Sequence, residues 1–179
     1  MEPWGPLGTL EAMSNDTATT TELLIHRRLA SLDGFTVQTP DGSTAWTVKY
    51  HVGLGKGTWT FLDPAGATAA TLVRPAMHVH PTFELDRPGH PTVTIRKANF
   101  MPLNETWRIE GDTDGDLDVT GDVVDHEFTI TDASGTAVAQ ASRSWVTVRE
   151  TYGVRCNGID PVVAAATSVA IDVVEHQQR

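Results

Sequence analysis

Short runs of alternating apolar and polar residues fill most of the chain, and they recur. Six aromatic residues each open such a run: Phe35 in FTVQTPDGSTAWTVKY, Trp59 in WTFLDPAGATAATLVRP, Phe83 in FELDRPGHPTVTIRKAN, Trp107 in WRIEGDTDGDLDVTGD, Phe128 in FTITDASGTAVAQASRS and Tyr152 in YGVRCNGIDP. The start-to-start distances are 24, 24, 24, 21 and 24 residues. Two positions after each start stands an apolar residue, namely Val37, Phe61, Leu85, Ile109, Ile130 and Val154. Alternation with a period of two puts each such pair on one face of a strand. Five units then carry a turn signal, PDGS, PAGA, RPGH, DTDGD or ASGT, in which Gly accepts a positive φ at little cost. A second alternating run follows each turn, so the unit predicts a β-hairpin. The connectors back to the next aromatic, AMHVHPTF and SWVTVRETY among them, also read as strand.

The pattern changes at DPVVAAATSVAIDVV, from Asp160 to Val174. Asp160 suits an N-cap and Pro161 the first helical position. Beyond Pro161 only Thr167, Ser168 and Asp172 are polar, so this helix has no continuous polar face and must be buried. It is too short and too interrupted to cross a membrane, which takes ~20 apolar residues. Six hairpin-like units imply about twelve strands, more than an open twisted sheet holds without curling. Closure into a barrel removes the edges, and a barrel of that width needs a filling. The predicted fold class is therefore mainly β: a closed barrel of about twelve strands around a C-terminal hydrophobic helix at residues 160–175, with the slim run Ala164–Ala166 inside the sleeve. Two packed sheets with the helix across an open end are the alternative.

Composition narrows this further. A chain of 179 residues suits one domain, placed at residues 22–176. Residues 1–21 are rich in Thr, Gly, Pro and Asn and lack a basic start followed by an apolar run; a disordered leader is expected there, with no secretory signal. The formal charge of −10, from 13 basic and 23 acidic residues, argues against nucleic acid as a partner and against non-specific attraction to anionic lipid. The single cysteine, Cys156, excludes an internal disulfide and is expected to be buried and unreactive; a cytoplasmic location is expected.

Candidate chemistry is sparse. Lys49, Arg74, Arg96, Lys97 and Arg143 fall 13 to 15 residues after their aromatic starts, which places them at a similar height on a barrel. They are candidate ligand-binding residues, a partial basic ring for an anionic ligand such as a lipid head group, although sparse strand-end charges are more often plain surface. EGDTDGDLDVTGD resembles a calcium loop through Asp112, Asp114, Gly115, Asp116 and Asp118, but Gly121 stands where a bidentate Glu is needed. His78 and His80 in MHVHP would share a strand face, without the third ligand a metal site requires. GLGKGTW lacks the spacing of a phosphate-binding loop. No GxSxG motif occurs, so neither enzymatic activity, a metal nor a cofactor is expected.

With these elements in place the chain resembles the LURP-one-related family, whose members share the tubby C-terminal-like fold with phospholipid scramblases. The resemblance runs from about Leu23 to Val174, through LLIHRRLASLDGFTV, PDGSTAWTVKY, LDVTGDVVDHEFTI, AVAQASRSWVTVRETYGVRC and DPVVAAATSVAIDVV. It implies a closed twelve-stranded barrel wrapped around a hydrophobic helix. Family members often carry several Lys or Arg after each second strand; here one or two stand there, and the fourth unit ends in TGDVV with Asp122. The resemblance transfers no functional residue. Tubby relatives are similar to membrane-tethered regulators that bind phosphoinositides, scramblase relatives are membrane-associated, and plant members are linked to defence responses. The expected function is a non-enzymatic binding or scaffold module for a lipid head group or another anionic ligand. The alternative is a protein-protein interaction module without a small-molecule ligand.

Overall fold

The alternating runs resolve into twelve strands and one helix in a computed structural model that describes residues 19–28, 34–53, 56–99, 105–113, 115–147 and 151–177. The strands are β1 Thr21–Arg28, β2 Gly34–Gln38, β3 Thr44–Gly53, β4 Lys56–Leu62, β5 Thr68–Arg74, β6 Thr82–Asp86, β7 Val93–Lys97, β8 Trp107–Glu110, β9 Leu117–Asp122, β10 Glu127–Thr131, β11 Ala137–Ser142 and β12 Thr151–Cys156. The helix α1 spans Pro161–Gln177. The leader expected over residues 1–21 lies outside the described residues up to residue 18, and β1 already begins at Thr21.

Each strand pairs with its sequence neighbours, and β1 pairs with β12 from Thr21↔Cys156 to His26↔Thr151, closing the barrel. Closure leaves no open edge among the strands. The five turn glycines all hold positive φ: Gly42 at 87°, Gly66 at 87°, Gly89 at 75°, Gly115 at 92° and Gly135 at 83°. Three hairpins also shift register just before their turns, at Val37/Gln38, Phe61/Leu62 and Ile130/Thr131. The repeat thus extends to its irregularities, which bend the wall locally.

Two of the connectors differ from expectation. In AMHVHPTF the strand starts only at Thr82, because Pro75 and Pro81 bracket the segment and neither can donate to a ladder. In SWVTVRETY residues 144–147 form no strand and β12 spans Thr151–Cys156, while residues 148–150 lie outside the described residues. A turn, with Val146 N donating to the Arg143 carbonyl at 3.1 Å, folds Trp145 back so that the Arg155 guanidinium lies 4.6 Å from its ring centroid.

Inward positions form the core. Phe35, Trp59, Phe83, Trp107, Phe128 and Tyr152 are all buried. Three of these rings meet in succession around the wall, Trp59–Phe83 at 5.8 Å and Phe83–Trp107 at 6.4 Å between centroids. The helix fills the lumen, with every residue from Val162 to Glu175 buried. Asp160 caps it, its carboxylate accepting from Val162 N at 2.9 Å. The three polar residues that interrupt its apolar surface are each satisfied. Thr167 donates to the Val163 carbonyl at 2.8 Å and Ser168 to the Ala164 carbonyl at 2.9 Å, while Asp172 accepts from Arg27 at 2.9 Å. Buried hydroxyls bonded back to their own helix carry no unsatisfied cost.

Candidate functional site

The two barrel rims differ chemically because the helix presents a different end to each. At the hairpin-turn rim, Arg87 joins the helix cap to the wall, donating to Asp160 at 2.7 Å and to the buried Asp112 at 3.0 Å. That use of Asp112 removes it from any calcium loop, and Asp118 is held by Arg108 at 2.9 Å; Asp114 lies outside the described residues.

At the opposite rim the helix C-terminus brings its partial negative charge together with Asp172, Glu175 and Gln177. Inward side chains from the wall converge on it. Arg27 from β1 pairs with Asp172 at 2.9 Å, and His126 Nε2 stands 3.1 Å from the same carboxylate. Lys97, only 2% exposed, lies 2.5 Å from Glu105 and 3.8 Å from Glu175. Arg74 donates to Gln177 at 2.5 Å while its guanidinium lies over Phe83 at 5.7 Å. His126 holds a left-handed φ of 57°, the only such non-glycine value among the described residues. Its ring stacks on Tyr152 at 4.2 Å. Burial, and after it the Asp172 charge, holds the Tyr152 hydroxyl well above the usual tyrosine range.

The five basic residues singled out in the sequence therefore separate by face. Arg74 and Lys97 share the inward phase of buried neighbours such as Leu72 and Ile95. Arg143 follows β11 and lines a small cavity of about 40 Å³ with Arg27, His126, Asp172 and Glu175. Lys49 is exposed and faces outward between buried Val48 and half-buried Tyr50, paired in register with Thr60 rather than at a strand end. Arg96 also faces outward, where Glu110 on the next strand accepts from it at 3.0 and 2.7 Å. This bidentate pair holds the Glu110 carboxyl below its ordinary range. The cationic collar is thus Arg27, Arg74, Lys97 and Arg143, with His126 beside Asp172. Arg27 and His126 escaped the sequence reading because neither occupies the counted offset; the alternation Leu23, Ile25, Arg27 is the signal that could have found the first.

Beside Arg74 opens a cleft of about 300 Å³ lined by Tyr50, Trp59, Arg74, His78, His80 and Gln177. His78 and His80 do share a surface, through an irregular connector rather than a strand. The Arg74 cation in the same cleft opposes a metal ion, and no group of three or more metal-ligating side chains occurs among the described residues. The cleft offers a guanidinium, imidazoles, a phenol and an amide, a set suited to oxygen-rich anions.

The family model for LURP-one-related proteins matches residues 21–172. The chain belongs to the LURP-one-related family. No curated protein matches it in sequence. Among solved structures, an X-ray structure of a protein from Arabidopsis thaliana is similar at a TM-score of 0.63 and 19% identity, covering 87% of this chain and 91% of that one. At that identity the likeness concerns the LURP-one-related fold alone. Among the described residues, no helix is long and apolar enough to cross a membrane.

Proposed function

We propose that this LURP-one-related chain is a non-enzymatic binding module for an anionic group, with a membrane-lipid head group as its source, and that the group enters the cleft beside Arg74. The observation that carries this reading is the convergence of Arg74, His78, His80 and Tyr50 on one open cleft of about 300 Å³ in an otherwise acidic protein. Of the remaining candidates, Lys49 lies exposed on the outer face of β3 and Arg143 borders the small cavity beside Asp172. Arg96 and Lys97 serve Glu110, Glu105 and Glu175 in this reading and stabilise the barrel. A reducing, cytoplasmic setting fits the buried thiol of Cys156.

Co-sedimentation tests it. Vesicles containing phosphatidylglycerol or a phosphoinositide should carry the protein down at low salt and release much of it at physiological salt, because screening shortens the reach of exposed charge. Arg74→Glu should abolish that binding. Unaltered binding by this variant would remove the cleft from the account. The second reading, a protein-interaction module, draws on the exposed apolar residues Val52, Met77 and Val79; apolar anchors of that kind would hold a partner with little response to salt.

A further inference from the structure

The large hydrophobic residues left exposed among the described residues are Val52 at 79%, Met77 at 92% and Val79 at 92%. They are close neighbours. Val52 pairs in register with Gly57, and Gly57 with Arg74, so two strand spacings of ~4.8 Å separate Val52 from Arg74. Three residues beyond Arg74, in the connector bracketed by Pro75 and Pro81, comes Met77. The connector's Pro75, Ala76, His78, His80 and Pro81 line the Arg74 cleft, so the apolar side chains and the cleft occupy one sector of one rim.

That sector is built from a stretch of the chain poor in carboxylates, with the exposed Glu84 standing in register with Val73 beside Arg74. From Gly42 to Phe83 the only acidic residue is Asp63. Asp63 sits in the β4–β5 turn at the other rim, where its carboxylate accepts from Ala67 N at 2.8 Å. The same stretch contains Lys49, Lys56 and Arg74, with His51, His78 and His80. A net charge of −10 opposes approach to an anionic surface, and a stretch poor in carboxylates that carries Lys49 and Arg74 lowers that repulsion locally.

We infer that this sector seats on an anionic bilayer, with Met77, Val79 and Val52 entering the boundary between head groups and acyl chains while the Arg74 cleft takes a head-group phosphate. The inference rests on the head-group reading above and adds the apolar insertion of Met77, Val79 and Val52 that would hold the chain on the bilayer. Reversible attachment needs two weak signals acting together, an apolar insertion and an electrostatic one, and the sector holds both. Charge complementarity favours the bilayer over a protein partner, because the apolar residues are few and lie among cations instead of forming a broad patch.

The test uses the full chain in the Cys156→Ala background, with an environment-sensitive fluorophore on Val79→Cys. Neutral phosphatidylcholine vesicles are compared with phosphatidylserine-containing ones, and inositol trisphosphate serves as the soluble head group. The fluorophore should blue-shift, and be quenched by acyl-chain quenchers, with anionic vesicles only. Met77→Ser/Val79→Ser should lower vesicle partition about tenfold yet leave inositol trisphosphate binding unchanged, while Arg74→Gln weakens both. These residues are exposed, so an unchanged denaturation midpoint should confirm that the double variant is folded. If vesicles bind the double variant as well as the parent and the probe stays in water, the insertion is wrong and the head-group reading stands. If the probe inserts equally into neutral vesicles and Arg74→Gln has no effect, the head-group reading fails instead. Absence of vesicle binding by the parent overturns both and leaves the sector to a protein partner.

Discussion

Single residues carry disproportionate weight where a charge is buried. Arg87 and Asp112 are each only 3% exposed, and Arg87 also reaches the helix cap. Replacing it with Ala strands the Asp112 carboxylate in the wall. We expect Arg87→Ala to destabilise the fold by about 3–5 kcal/mol, read as a lowered urea midpoint with an unchanged slope. Cys156 makes a different prediction. Burial, with the Asp160 charge second, pushes its thiol up to about 12. The unfolded chain ionises this thiol near its ordinary value of 9.0, so above that pH the unfolded state sheds a proton that the folded state keeps. The associated stability is intact below pH 9.0, falls as pH rises, and is lost by about pH 12. Urea titrations across that range should show the decline, and Cys156→Ala should flatten it. A thiol reagent at neutral pH should react only after denaturant is added.

At the scale of elements, the helix is the strictest tenant. Ala164, Ala165 and Ala166 are 0% exposed, so the sleeve has no spare width at that level. Ala165→Leu should cost about 1–3 kcal/mol by overpacking, visible as a lower thermal midpoint and a weakened near-ultraviolet signal from the aromatic belt. The elements were also the most legible part of the sequence. Strand, turn and cap are written locally: Phe35 and Val37 by parity, Gly42 by its φ, Asp160 and Pro161 by the chemistry of a first helical turn. The rim was harder to read. Counting offsets gives height on a barrel but not face, and adjacent Arg96 and Lys97 must face opposite ways. Parity alone would have separated them. What no local pattern could supply is that Asp172 and Glu175, far along the chain, would meet Arg27 and Lys97. In MHVHP the alternation imitated a strand, and the flanking prolines outweighed it.

For the whole molecule, asymmetry between the ends is what matters. One rim is closed by hydrogen-bonded turns, and the other combines the helix C-terminus, a collar of cations and a sector poor in carboxylates. On the proposed reading, this distribution is what would let a protein of net −10 approach a negative surface in one pose. The closure of the wall also has a consequence for how the molecule is made. Thr21, in the first strand, pairs with Cys156, in the last, and the helix that fills the lumen follows both. While a ribosome is still extending the chain toward residue 156, the sheet has no seam and its aromatic belt has nothing to lie against. A finished barrel would leave no passage for a helix whose residues are buried from Val162 to Glu175. The wall must therefore be rolled around its filling once synthesis has passed the helix, and a translating ribosome holds an open ribbon that needs protection from aggregation until then.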